Sequence, residues 1–548
     1  MGWSGAFLGA LRGRSITPSY RLEFVKLSNS VSSNFTISCD RGKVKIDARG
    51  PSVQGMTVIP QRWNIGFGGF TVPVVGDLRY MLPYIPRGSF AVLWCDLGTG
   101  YERIAFGQLQ GIRGYGTSWT LTFKDLISAL QNTTDARVTT NVNPYNFPMF
   151  RHSIGGNAKV NSPSQWNPAV DPNLYVDNIT IFEKPSSDDG VVRTQRGTGD
   201  EGCLTWSSKT ATSGSAGYLT INGYNYQYPG LANISILDPN DPVAPVPMLK
   251  GYPGHIMARI MTSTGTGTNG VFDTYPLTWT TGGSFQADII DVVDIEFSKK
   301  TIKRDNGSLY GWNYPVREPW NNGFRDLTNL SALAGQWPVW RQNAMSWRGC
   351  SDPTGKTMNY LPPVVGKIGD NDIIRVESHE MFSPDVSSIS AASSFTYSFH
   401  PNPALATSSL GSGSMAVNGV LQSMPIEPTL IRDLRYYYDG NPYLANGSVD
   451  TTGKATRLQH AGGDKDRMKV WDLQTHEKVV LRLHLEFAQF VAGDVLEVTS
   501  RYLYGPNEAP GKTYQEKKVM VLASQYDISS RSAILTLGVP WPLTSTKT

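Results

Sequence analysis

Histidine and cysteine are scarce in this chain, and their spacing excludes more than their number. The four cysteines, Cys39, Cys95, Cys203 and Cys350, stand far apart in 548 residues, and no two form a Cys-x-x-Cys pair. Isolated thiols of this kind read as small buried apolar groups rather than as a disulfide framework or a zinc site. We expect them free and mostly buried, as in a protein assembled in a reducing cytoplasm. The seven histidines are dispersed. His379-Glu380 and His476-Glu477 each lack the second histidine of a zinc-protease helix. A Gly-x-Ser-x-Gly elbow, which would mark a serine hydrolase, is absent as well.

Long apolar runs and charge blocks are also missing. No run approaches the roughly 18 residues that a membrane span needs. Trp3 to Leu11 is apolar, but Arg12 and Arg14 follow it rather than precede it, so it reads as a short arm packing on a neighbour, not as a signal peptide or a stable membrane anchor. Met1-Gly2 opens like a myristoylation signal, yet Ala6 stands where Ser or Thr is required. Forty-nine basic against 45 acidic residues leave a net charge of +4 with no basic cluster. Phosphate binding needs clustered Lys and Arg, so the composition gives no support for a nucleic-acid binder.

What is abundant is turn material. Fifty-five glycines, 35 prolines and an 11% aromatic share, with few sustained helical periodicities, predict a mainly β chain of several domains. The closing stretch carries the clearest pattern. After the turn Ala492-Gly493-Asp494, alternating segments run from Val495 to Ser500, Lys518 to Ser524 and Ala533 to Leu537. Near the other end, Pro86-Arg87-Gly88 leads into Ser89 to Trp94, Tyr101 to Leu109 and Trp119 to Phe123 in the same order. Alternation broken by Gly, Pro, Asn and Asp marks half-buried antiparallel strands, and the difference in hairpin length between the two sets is cheap. A duplicated β-barrel unit with other material between its copies is the organising expectation.

In chain order, Tyr20 to Lys26, Asn34 to Cys39, Lys43 to Ala48 and Gln61 to Phe67 join the first set of strands. Lys124 to Gln131 reads as a short closing helix. Residues 1–140 form a first β-barrel, tube-like domain. Residues 141–250, rich in Asn, Pro, Gly and Ser, form a loop-rich β domain with strands at Leu174 to Phe182 and Tyr218 to Ile221. Tyr224, Tyr226 and Tyr228 alternate there, either packing on a neighbouring sheet or offering a face to a sugar or a protein. Residues 251–360 read as an α+β insertion, with helices at Ile256 to Met261 and Phe324 to Leu333. Residues 361–548 form the second tube-like domain.

The candidate sites thin out on inspection. Gly355-Lys356-Thr357 and Gly511-Lys512-Thr513 suggest P-loops, but Cys350 and Pro506 occupy the place of the first glycine, so both read as hairpin residues. Asp288, Asp291, Asp294 and Glu296 interleave with Ile and Val between Phe285 and Phe297. They lack the Gly-assisted loop of a cation site and predict an amphipathic segment with an acidic outer face. Trp337, Trp340 and Trp347 read as core, with a sugar platform as the alternative. Paired glycosidase carboxylates are not recognisable from sequence. No catalytic, cofactor-binding or metal-ligating residue is nominated, and no cofactor is implied.

Residues 361–548 carry the most recognisable text. Asp370-Asn371-Asp372-Ile373-Ile374 is followed by Val386 to Ser390, Ser394 to Phe399 and Lys478 to Phe487. Then come Ala492-Gly493-Asp494-Val495, Val519 to Leu522 and Gln525-Tyr526-Asp527. This succession resembles the C-terminal part of phage tail hub or tail-tip proteins, where a Pro-Gly-Asp-Val type turn enters the last barrel strands; here Ala492 replaces the proline. Gly217 to Tyr228, Gly254-His255-Ile256-Met257, Thr262 to Gly265 and Pro276-Leu277-Thr278-Trp279 resemble that family's middle region.

The resemblance implies a non-enzymatic virion part, assembled in the host cytoplasm, that closes the tail tube at the tip or baseplate and opens for DNA ejection. Its implied partners are two further copies of itself, a distal tail or tail tube protein, the tape measure protein, and the tail fibre or receptor-binding proteins of host attachment, with DNA only in passage. Two alternatives stay open: a hexameric distal tail protein, and a glycan-binding or depolymerising tail protein. On this reading the purified protein is expected to turn over no peptidoglycan, polysaccharide or nucleotide. Specific turnover abolished by replacing one acidic residue or histidine would overturn it.

Overall fold

In a computed structural model the described residues are 3–13, 17–24, 35–38, 43–59, 64–66, 68–79, 89–125, 158–182, 190–196, 200–223, 236–246, 248–252, 254–255, 257, 278–281, 285–288, 291–301, 312–315, 336–341, 344–349, 363–382, short pairs between 394 and 433, 476–504 and 513–540. The chain is mainly β, as the turn-rich composition predicts. A short helix α1 (Gly5–Leu11) precedes ten strands: β1 (Ser19–Phe24), β2 (Phe35–Ser38), β3 (Val44–Ile46), β4 (Ser52–Gln54), β5 (Thr57–Ile59), β6 (Asn64–Gly66), β7 (Gly69–Gly76), β8 (Phe90–Asp96), β9 (Tyr101–Tyr115) and β10 (Ser118–Asp125). Period-two patterning sets their faces. Tyr20, Leu22 and Phe24 of β1 and Phe70, Val72 and Val74 of β7 point inward, with their neighbours half exposed.

The middle of the chain builds a separate antiparallel sheet from β11 (Ala158–Lys159), β12 (Asn173–Val176), β13 (Gly190–Arg196), β14 (Asp200–Ser213), β15 (Ala216–Gly223) and β16 (Pro242–Val246), in the order β11-β16-β13-β14-β15-β12. Its own core includes Trp166, Leu174, Phe182, Leu204 and Trp206. Two-stranded pairs follow. β17 (Met248–Gly251) pairs β20 (Trp312–Pro315), β18 (Thr278–Thr281) pairs β19 (Phe285–Asp288), and β21 (Gln336–Arg341) pairs β22 (Ala344–Gly349). Helix α2 (Val292–Thr301) lies between them in sequence.

The last region contains β23 (Gly366–Ile368), β24 (Ile373–Phe382), six two-residue strands β25–β30 between Ser394 and Asp433, and then β31 (His476–His484), β32 (Val495–Tyr504), β33 (Thr513–Asp527) and β34 (Ser532–Pro540). Here the expected repeat takes shape. Strands β7 to β10 hydrogen-bond in the order β8-β9-β10-β7, and β31 to β34 in the order β32-β33-β34-β31, every pair antiparallel. Each unit is a three-stranded meander whose last strand returns to pair with the strand before it. The flanking strands differ, since β8 has β1 antiparallel beside it while β32 has β23 parallel.

The two units are one sheet. β4 pairs with β7 on one side and with β33 on the other, matching Val53 to Phe70 and to Tyr526. Tyr526 spans the seam, its hydroxyl donating to the Ile104 carbonyl at 2.9 Å. Burial, with the negative neighbours Cys95 and Tyr20 could become, pushes the Tyr526 phenol far up and keeps it protonated. Cys95 is a buried thiol in no disulfide, as expected, and the side chains of the other three cysteines lie outside the described residues.

Two expectations are corrected. The N-terminal arm packs on its own chain, not on a neighbour. Ser4 caps α1 by accepting from the Phe7 amide at 3.2 Å, and Trp3, Phe7 and Leu11 sink into the apolar core of the large sheet. Trp3 meets Tyr526 edge-on at 5.7 Å, and Arg12 pairs with Glu486 of the second unit. An apolar arm finds its cover nearest, across the seam. The segment Phe285 to Phe297 is not one amphipathic element with an acidic outer face. It breaks into β19 and α2, Asp291 and Asp294 are buried, and Val293 is exposed. Asp291 turns inward to cap α2, its Oδ1 accepting from the Asp294 amide at 3.0 Å.

Smaller differences have local causes. Leu174 to Phe182 is a strand only to Val176, after which Asn178 accepts from the Thr180 amide and bends the chain away. Lys124 and Asp125 finish β10 instead of starting a helix, and residues 126–131 lie outside the described ones. So do Tyr224, Tyr226 and Tyr228, the segment Phe324 to Leu333, Val386 to Ser390, and most of Ile256 to Met261, of which Met257 is helical. No described helix is long and apolar enough to cross a membrane.

Because Phe7 is fully buried in the apolar core, Phe7→Ala is expected to lower the unfolding free energy by about 3–5 kcal/mol in a denaturant titration. A loss below about 0.5 kcal/mol, the range of surface substitutions, would return the arm to a neighbouring molecule.

Candidate functional site

The turn that carries the family-like text is rigid for reasons visible in its residues. Gly493 adopts φ +94°, a conformation open to glycine. Its amide donates to the Val521 carbonyl at 2.8 Å, and the Val521 amide donates to the Asp494 carbonyl at 2.8 Å, tying the turn to β33. The Asp494 carboxylate accepts from the Val491 amide at 3.0 Å and closes the turn upon itself.

Upon this turn sits Arg348, at the end of β22. Its Nε donates to Asp494 Oδ1 at 3.3 Å, its Nη2 to Asp294 Oδ1 at 2.5 Å and its Nη1 to the Asp294 carbonyl at 3.4 Å. All three side chains are almost wholly buried. Burial alone works against the guanidinium charge, but attraction to Asp294 and then Asp494, with the hydrogen bonds to both, outweighs it and raises the Arg348 pKa above its ordinary value. The stem of Arg348 also fills the space beside Gly493, where a Cβ would come within 2.5 Å of the Arg348 Cβ. Three stretches far apart in sequence, α2, β22 and the turn, thus meet at one desolvated cation.

A second buried polar cluster comes from the two His-Glu pairs. His379 of β24 donates through Nε2 to Glu477 Oε2 at 2.8 Å, and Tyr514 of β33 donates its hydroxyl to the same oxygen. The near-miss zinc motifs therefore do meet, as a histidine of one pair against the glutamate of the other across the sheet. Glu477 is inaccessible to solvent and Tyr514 nearly so. A reacting carboxylate needs room for substrate beside it. A groove of about 630 Å³ lies elsewhere, between Lys45, Asp47, Ile528 and Arg531 at the seam. The cluster instead locks β24, β31 and β33 together through a carboxylate that accepts from His379 and Tyr514.

Thr513 of Gly511-Lys512-Thr513 opens β33 opposite Tyr504, so that motif belongs to a hairpin connection, and Gly355-Lys356-Thr357 lies outside the described residues. Trp337 and Trp347 are buried in the β21–β22 hairpin, as the core reading expects; the Trp340 side chain lies outside the described residues. Among the described residues no group of His, Cys, Asp and Glu is arranged to hold a metal ion. Sequence reasoning missed Arg348, because one arginine in a short Trp-rich strand carries no spacing signal. Asp494 was read as a turn residue only.

No protein-family model matches the chain, and no curated protein matches it in sequence. Solved structures similar to it include a tail protein from Neisseria meningitidis MC58 with 8% identity, covering 95% of this chain and 96% of that one at a TM-score of 0.34. The 43 kDa tail protein of prophage MuSo2 from Shewanella oneidensis has 8% identity, covering 95% and 98% at 0.35. A prophage tail protein from Listeria monocytogenes EGD-e has 9% identity, covering 95% and 94% at 0.36. At identities and scores this low the likeness decides neither fold nor function.

Removing one donor from the buried carboxylate measures how tightly that cluster is satisfied. Tyr514→Phe keeps the ring and is expected to cost about 1–3 kcal/mol of stability in thermal or denaturant unfolding. An unchanged midpoint would mean that Glu477 does not depend on the phenol.

Proposed function

We propose that this chain is a structural protein of a phage tail. In this reading it is a trimeric hub at the tail tip or baseplate that closes the tail tube, joins it to the host-recognition parts, and opens for DNA ejection. The observation that carries the reading is the four-strand unit that occurs twice in one continuous sheet, at β7–β10 and β31–β34. Two equivalent units per chain let three chains present six similar faces to a six-fold tube. Residues 1–140 and 361–548 would be the tube-like domains, and residues 141–250 and 251–360 the parts that depart from six-fold symmetry. The reading is the one the sequence resemblance implies, and it agrees with the names of the similar tail proteins.

The partners follow from this placement: a distal tail or tail tube protein against the ring, the tape measure protein at its lumen, and tail fibre or receptor-binding proteins outside. Closing three chains into a ring would also cover sheet edges that otherwise invite aggregation. A non-enzymatic role fits a chain whose buried carboxylates are spent on structural hydrogen bonds and ion pairs. The glycan-binding alternative loses support from Trp337 and Trp347, which are buried and present no sugar platform.

A reconstruction of the assembled particle tests the reading. Three copies in a pseudo-six-fold ring are expected, with Ser89 to Trp94 superposing on Val495 to Ser500 and Trp119 to Phe123 on Ala533 to Leu537. The lumen is expected to be neutral or acidic, since each Lys or Arg contact to phosphate would add salt-sensitive affinity and slow DNA passage. Six copies in the ring, or units that fail to superpose, would replace the hub with another assembly. A lumen lined with Lys and Arg would remove its role as a conduit.

A further inference from the structure

We propose that Asp294, Arg348 and Asp494 form an ionic latch: it holds α2 and the β21–β22 hairpin against the second barrel unit and can open without unfolding that unit. This does not depend on the phage-tail reading.

The fixed half of the latch is the turn. Gly493 and Asp494 are bonded to both backbone groups of Val521, a fully buried residue of the apolar core that both units share. The movable half is the insertion. The buried side chains of its hairpin, Trp337, Val339, Met345 and Trp347, stand outside the apolar cluster that unites α1 with both barrel units. α2 is joined to that hairpin by the Asp294–Arg348 pair and by the Asp291 amide, which donates to the Met345 carbonyl at 2.9 Å. On this proposal α2 and the hairpin leave as one piece when the Arg348–Asp494 contact breaks.

The chemistry of the contact suits a joint that opens. An apolar interface exposed to water loses all that held it. A desolvated Arg–carboxylate pair regains hydration on both ions, so its open state is less costly than its short hydrogen bonds suggest. The seat is also specific. Gly493, with φ +94° and no side chain, lets the Arg348 stem pass at a distance a Cβ would forbid.

Hydrogen exchange read by mass spectrometry on the full chain tests the latch. In Arg348→Met, which keeps the stem and removes the charge, amides of 292–301 and 336–349 are expected to exchange on the order of a hundredfold faster, with 513–540 unchanged. Asp494→Asn keeps the side-chain shape and the acceptor for Val491. It should give the same pattern at smaller size, and it carries the test if Arg348→Met does not fold. Equal acceleration in 513–540 would make the triad an ordinary part of barrel stability, and unchanged exchange in 292–301 would mean that nothing was latched; either result overturns the proposal.

Discussion

Three residues decide the architecture. Ser52, Val53 and Gln54 form a strand with a partner on each edge, β7 of the first unit and β33 of the second. Without β4 the two units would each present an open edge at this point, and unpaired edges cost backbone hydrogen bonds or attract other chains. With it, the sheet runs from β2 through both units to β24. The apolar residues behind the seam, among them Trp3, Tyr20, Val53 and Tyr526, then share one core. The N-terminal helix and the Tyr526 hydroxyl are consequences of that junction, since both occupy space that exists only where the units meet.

The remote edge is handled differently. Among the described residues β24 pairs only with β31, and its exposed residues include the charged Arg375 and Glu380 beside Ile374. Arg482 donates to Glu377 at 2.7 Å, and this hydrogen bond, opposed by burial and aided by attraction to Arg375, holds the carboxyl below the usual range. Lys478 lies 3.5 Å from Glu380 on the same pair of strands. Exposed pairs of this kind add little stability. Their value on an edge strand is that another chain docking there would have to desolvate them, which keeps the edge from pairing at random.

Much of this was legible in the alternation. Val495 to Ser500, Lys518 to Ser524 and Ala533 to Leu537 are strands because every second residue is apolar, and their earlier counterparts follow the same rule. Such a pattern reports one face of one element. It does not report which elements face each other, so the sequence could not tell that Phe7 packs within its own chain or that the acidic residues around Asp294 point inward. Arg348 was invisible for a related reason. A buried cation is specified by carboxylates supplied from elsewhere, 54 residues back at Asp294 and 146 residues on at Asp494. The His379–Glu477 contact was half legible, since both residue types stood out but their meeting needed the register of β24 against β31.

The seam also sets a schedule for folding. Ile104 receives the Tyr526 hydroxyl across 422 residues of intervening chain, and Tyr20 meets Ser529 across 509. Contacts of such separation cannot form until nearly the whole polypeptide has left the ribosome, and the entropy of closing so large a loop makes them late even then. During synthesis the first unit must therefore wait with the outer edge of β4 unpaired and its core open where Tyr526 will lie. A chain interrupted before β33 would keep that opening, and β33 acts as the plug that turns a sticky intermediate into a closed core.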